Sequence, residues 1–169
     1  MNITQIRNAT ILLEIGEHRI LADPMLSPPS SLAGFRLVRG ERRKNPLTAL
    51  PDDAEKLFDS ATEVLITHEH PDHLDKPGIE WIKSRGLKLW CSSIDAPNLR
   101  RKGLDARIIT EDSDDLSVEV IPATHGHGII GWLMGPVAGY YLAHPDDPTV
   151  FITGDTVLTD TVKSAIERL

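Results

Sequence analysis

The sequence is poor in several things, and each shortage removes a class of protein. Cys91 is the only cysteine among 169 residues, so no intramolecular disulfide can form, and a cytoplasmic home is the expectation. Positive charge is in deficit. Eighteen Lys and Arg against 25 Asp and Glu leave a formal charge of −7, so a nucleic-acid partner is not expected. No apolar run approaches the length of a membrane-spanning helix, and Arg7 and Glu14 interrupt the apolar N-terminus, so neither a membrane anchor nor a signal peptide is expected. Glycine-rich phosphate motifs are missing, and Ser92 and Ser93 lie in no GxSxG elbow, so nucleotide binding and serine catalysis are not indicated. What remains is an ordinary globular composition, 40% apolar and 25% charged, at a length that fits one domain over residues 1–169.

β-Branched runs around Ile3, Ile6, Ile11, Leu13, Ile15 and Ile20 predict strands, with a hairpin turn at Gly16-Glu17 and a stop at Asp23-Pro24. Residues 24–51 are broken by Pro24, Pro28, Pro29, Pro46 and Pro51 and read as a long irregular loop. This loop carries Arg36, Arg39, Arg42, Arg43 and Lys44 against Glu41. It is either a solvated basic segment or a rim attracting an anionic substrate. A short helix over 52–60, a buried strand at Glu63–Thr67, a helix at Ile79–Ser84, a strand at Leu87–Cys91, a helix at Ile94–Lys102 and a strand at Arg107–Thr110 follow. The acidic run Glu111, Asp112, Asp114 and Asp115 reads as a solvated turn. Strands at Leu116–Ile121, Val137–Ala143 and Thr149–Thr153 come next, the last two joined by the turn 145–148, and a helix starts near Asp160. Strand pairs followed by strand–helix alternation give an α/β or α+β layered domain. Cys91 reads as a small buried apolar residue, and Trp81, Trp90 and Trp132 as packing residues.

The informative stretch is HEHPDH, which places His68, His70, Asp72 and His73 within six residues at the end of the strand Glu63–Thr67. All four can ligate a transition metal. In extended backbone His68 and His70 point to one side and Glu69 to the other, so both imidazoles can reach one ion. Such a cluster arises by chance in roughly one chain in a thousand of this composition. Two further candidates also follow strands: His125 and His127 in THGHG, and Asp155 in TGDT. Loops at strand ends are where ligands from distant sequence converge.

Together these residues resemble the metallo-β-lactamase superfamily, whose signature is HxHxDH followed by a later His and a later Asp. The segments ITQIRNATILLE, RILADPML, PATHGHG and VFITGDTVL resemble its lactonase-like branch, related to ascorbate-6-phosphate lactonase. The resemblance implies an αββα sandwich with a site for two divalent metal ions at one edge of its sheets. Zinc is the first expectation, with manganese or iron as alternatives. Carried over by position, His68, His70 and His125 match ligands of the first ion. Asp72 and His73 match ligands of the second, and Asp155 the carboxylate bridging both. Asp23 matches an acid beside the site or is a turn cap, and His127 stands as a contact candidate around the ligands.

The implied activity is that of a metal-dependent hydrolase directing a metal-bound hydroxide at an ester, lactone or phosphoester, with a small-molecule substrate and with Asp72 moving the proton. The other readings are an inactive metal-binding remnant and a metal-dependent nuclease. Two departures stand out. Many relatives carry Gly-His where this chain has Arg7-Asn8. The family also continues past the GDT segment to a final histidine, whereas none follows His144 here. The expectation is therefore the N-terminal two-thirds of the family fold, C-terminally incomplete, with exposed sheet edges that favour a homo-oligomer.

Overall fold

Short apolar runs rich in β-branched residues build the N-terminal meander of β1 (Asn2–Arg7), β2 (Thr10–Ile15) and β3 (His18–Ala22). The structure is a computed structural model that describes residues 1–34, 43–109, 115–126 and 128–169, with 129 and 130 described through their backbone alone. The expected hairpin turn is present. Gly16 has φ +53°, and a Cβ there would sit 2.4 Å from His144 Nε2, so glycine admits both the turn and the approach of the second sheet.

From β3 the chain crosses to α1 (Ala54–Asp59) and then alternates β4 (Glu63–Ile66), α2 (Lys76–Arg85), β5 (Lys88–Cys91), α3 (Ala96–Arg101) and β6 (Ala106–Ile108). Strands β1 to β6 form one sheet in sequence order, with antiparallel pairing up to β3 and parallel pairing beyond. The second sheet is β7 (Ser117–Thr124), β8 (Pro136–His144) and β9 (Asp147–Ile152), all antiparallel. Helix α4 (Gly128–Met134) lies between β7 and β8, and α5 (Asp160–Ile166) closes the chain.

Three apolar clusters fix the layers. Leu13, Ile15, Ile20, Ala22 and Leu65 of the first sheet meet Val118, Ala138, Tyr140 and Leu142 of the second. The outer face of β4 and β5 is covered by Ile82 of α2 and Leu99 of α3, and Phe58 of α1 packs with Leu12 and Leu21. Helix α5 lies outside the second sheet, where Tyr141 donates its hydroxyl to the Arg168 carbonyl at 2.9 Å and Arg168 pairs with Glu119. The order helix, sheet, sheet, helix is the expected αββα sandwich.

Several elements differ from the sequence reading. Helix α2 starts at Lys76 rather than Ile79, because the Asp75 carboxylate caps it by accepting from Gly78 N at 2.8 Å. Helix α4 has no charged residue and little periodicity, so the sequence pattern does not predict it. Trp132 sits on it 81% exposed, so it is not the packing residue expected, whereas Trp81 and Trp90 do pack against the cores. Asp147 and Pro148 belong to β9, with Asp147 paired to His144, so the turn is confined to Pro145-Asp146. Strand β7 runs on to Thr124, carrying Pro122 in register with Ala138. Of the basic run, Arg43 and Lys44 are exposed, while Arg36, Arg39, Glu41 and Arg42 lie outside the described residues, as do Glu111, Asp112 and Asp114 of the acidic turn. No helix among the described residues is long and apolar enough to cross a membrane.

The two sheets are also joined by one buried hydrogen bond, from Tyr140 Oη to the Ile66 carbonyl at 3.1 Å. Tyr140→Phe should therefore lower stability by about 1–2 kcal/mol with the fold retained. Urea unfolding of both proteins measures this, and coincident midpoints would refute it.

Candidate metal centre

Four strand ends meet at one edge of the sandwich. Asp23 follows β3, Thr67 and His68 follow β4, His125 follows β7, and Asp155 follows β9. Residues 68–70 belong to no helix or strand, and the loop turns back where His73 N and Leu74 N both donate to the His70 carbonyl at 2.9 Å. Gly154, at φ +59°, brings Asp155 in. A Cβ there would lie 3.1 Å from the Ala138 carbonyl oxygen and 3.4 Å from Thr67 Cβ.

The result is two overlapping sets of donors. His68, His70 and His125 offer nitrogens within 4.8 Å of one another, and so do His68 and His73 with an Asp155 oxygen. The sequence reading put all of these at the site. Asp72 belongs to neither set, although its charge acts on His70. His127 lies outside the described residues. His144 stands apart, beside Asp115 and Asp147.

Hydrogen bonds decide which nitrogens face the centre. His125 Nδ1 lies 3.1 Å from the Gly135 carbonyl, which can only accept, so Nδ1 carries a hydrogen and the neutral ring keeps its lone pair on Nε2. Thr67 gives its hydroxyl hydrogen to Asp23 Oδ2 at 2.6 Å, so toward His68 Nδ1, 3.1 Å away, it can only accept. His68 Nε2 is thereby also a lone pair. These two Nε2 atoms face each other at 3.3 Å with no hydrogen to share. Burial, then the neighbouring His73 and His70 charges, push the His68 imidazole down to about 3, so His68 itself stays neutral at neutral pH. Two inward lone pairs fit a shared divalent cation, and the outward Nδ1 hydrogen bonds are the supports that histidine ligands use.

His73 is the opposite case. Burial alone would lower its pKa, but hydrogen bonds to Asp155 and Asp23 outweigh that and raise it to about 10. Its Nδ1 lies 2.8 Å from Asp23 Oδ2 and its Nε2 3.1 Å from Asp155 Oδ1. The hydrogen bond from His73 holds the Asp155 carboxyl below its ordinary range. Asp23 is more than a turn cap. It is buried, at φ +47°, and also accepts from Thr67 N at 2.8 Å.

Three features here carry no sequence signal. Thr67 fixes the His68 tautomer. Arg7 is buried and donates to the Met25, Ser27 and Thr48 carbonyls, pinning the loop after β3. Helix α4 ends at the carbonyl that orients His125.

A beta-lactamase superfamily domain model matches residues 18–169. The chain belongs to the metallo-β-lactamase superfamily. It groups with that superfamily's metal-dependent hydrolases. The UPF0173 protein YddR of Bacillus subtilis is 30% identical over 98% of this chain and 67% of its own length. A crystal structure described as a possible metal-dependent hydrolase from Veillonella parvula superposes with TM-score 0.88 at 30% identity, over 99% of this chain and 67% of that one. An isothiocyanate hydrolase from Delia radicum gut bacteria gives TM-score 0.87 at 29% identity, over 99% and 68%. This family member thus spans about two thirds of these relatives' length.

In the metal-free protein the folded pKa of His73, about 10, exceeds its ordinary 6.5. Its stabilising contribution is complete below about pH 6.5 and is lost as pH rises toward 10. Metal-free protein should therefore lose stability across that window, and Asp23→Asn should shrink the loss. Denaturation midpoints measured from pH 6.5 to 10 check this, and equal slopes in both proteins would contradict it.

Proposed function

We propose that the chain holds two divalent cations, with zinc as the first choice and manganese or iron as alternatives, and hydrolyses a small-molecule ester, lactone or phosphoester. The observation that carries the reading is the pair of hydrogen-free Nε2 atoms of His68 and His125 beside His70. His68, His70 and His125 would hold the first ion. His73, Asp155 and Asp72 would hold the second, with Asp155 reaching both. Cations held there supply a Lewis acid for the scissile group and make a bound water a better nucleophile.

The chain's own groups do the rest. His68 and His70, both held below their ordinary range by burial, stay neutral and available as donors. Asp23 fixes the ring of His73 and, through Thr67, that of His68. Asp72, partly exposed next to His70, is placed to orient the attacking water and pass its proton to the leaving group. A cavity of about 290 Å³ adjoins His73 and Asp155 and is lined by Ile3, Ile11, Val150 and Ile152, which supports a small substrate with an apolar part. The isothiocyanate hydrolase among the similar structures adds heterocumulene carbons to the substrates worth testing.

Elemental analysis should find bound divalent metal. Chelation should abolish hydrolysis, and zinc or manganese should restore it. His70→Ala and Asp72→Ala should each lower the rate by orders of magnitude. Turnover that survives complete metal removal would overturn the assignment.

A further inference from the structure

Glu69 of HEHPDH faces α3 rather than the candidate metal centre, and it does not point into solvent. Its side chain is 13% exposed. Asn98 Nδ2 lies 2.7 Å from each carboxylate oxygen, and Lys102 Nζ pairs with Oε2. Asn98 lies within α3 and Lys102 is its C-cap. That helix is rigidly placed, because Leu99 and Ala96 are fully buried against β4 and β5 and Asp95 and Ser92 are buried at its start.

The backbone of 68–70 has no regular structure to fix it. Thr67 is tied down on one side by Asp23, and the His70 carbonyl is tied on the other by His73 and Leu74. The His68 and His70 rings lie together, with centroids 4.6 Å apart, while Glu69 between them is held against α3, so that hold acts on the backbone that carries both imidazoles.

We propose that Glu69 is a positioning residue for the metal loop, and that the Asn98–Lys102 clasp of α3 on its carboxylate sets the aim of His68 and His70. The proposal rests on the metal-binding reading above. An exposed ion pair would contribute little, but this carboxylate is largely buried and bonded at both oxygens, the situation in which a partner behind a ligand matters.

The test is zinc affinity of the whole chain, measured by competition with a chromogenic chelator, for the parent, Glu69→Ala, Asn98→Ala and Lys102→Met. The tightest zinc constant should weaken about 10–100-fold in Glu69→Ala and in Asn98→Ala, although neither residue is a proposed ligand. The losses should not add in the double variant. The visible d–d bands of the cobalt(II)-loaded protein should shift, while the metal-free melting temperature of Asn98→Ala stays near the parent's. Should Glu69→Ala fail to fold, Asn98→Ala and Lys102→Met still decide the matter. Parent-like zinc constants and cobalt spectra in the α3 variants would overturn the proposal. A parent that binds no zinc or cobalt would instead remove the metal reading, and this proposal with it.

Discussion

The arrangement on which the site depends is the meeting of two imidazole nitrogens, on His68 and His125, that both present lone pairs. Such a contact is repulsive unless a cation sits between the rings. His68 does not relieve it by taking up a proton, because it is buried next to other basic rings. The outward nitrogens are committed to a hydroxyl and a backbone carbonyl, so the rings cannot flip without breaking those bonds. The fold therefore holds an unfavourable local contact in place and makes it useful as a binding site.

The strength that holds it comes from the sandwich. Leu65, Ala22, Ala138 and Tyr140 are buried between the sheets directly below the loops, and burial of apolar surface is the dominant favourable term in folding. Above them the loops are anchored individually. Asp23 takes Thr67 and His73, Asp75 caps α2 and also accepts from Leu26 N and Ser27 N, and Arg7 takes three carbonyls of the loop after β3. The buried carboxylates Asp23 and Asp75 each satisfy several donors at once, which is what makes their burial tolerable.

Much of this was legible in the chain, for a physical reason. HEHPDH is local, so spacing alone gathers three imidazoles at a strand end. The strands that deliver His125 and Asp155 were also readable from β-branched runs. Helix α4 was not readable, because GIIGWLM lacks a polar face and is fixed by contact with the His125 loop: a Cβ at Gly131 would lie 2.2 Å from the Gly126 carbonyl oxygen. Exposed Trp132 misled for a similar reason, since residue type suggests burial and only the surroundings decide it.

The sequence by itself determined a layered α/β or α+β domain and the ligand-type residues, because periodicity and a six-residue motif are local properties, and the αββα order followed only from the family resemblance those residues carry. Only the tertiary structure decided which nitrogen of each ring faces the centre, that His68 stands in both donor sets while Asp72 stands in neither, and that Glu69 is held by α3. Those outcomes depend on hydrogen-bond partners from 10 to 57 residues away, and no local pattern encodes them.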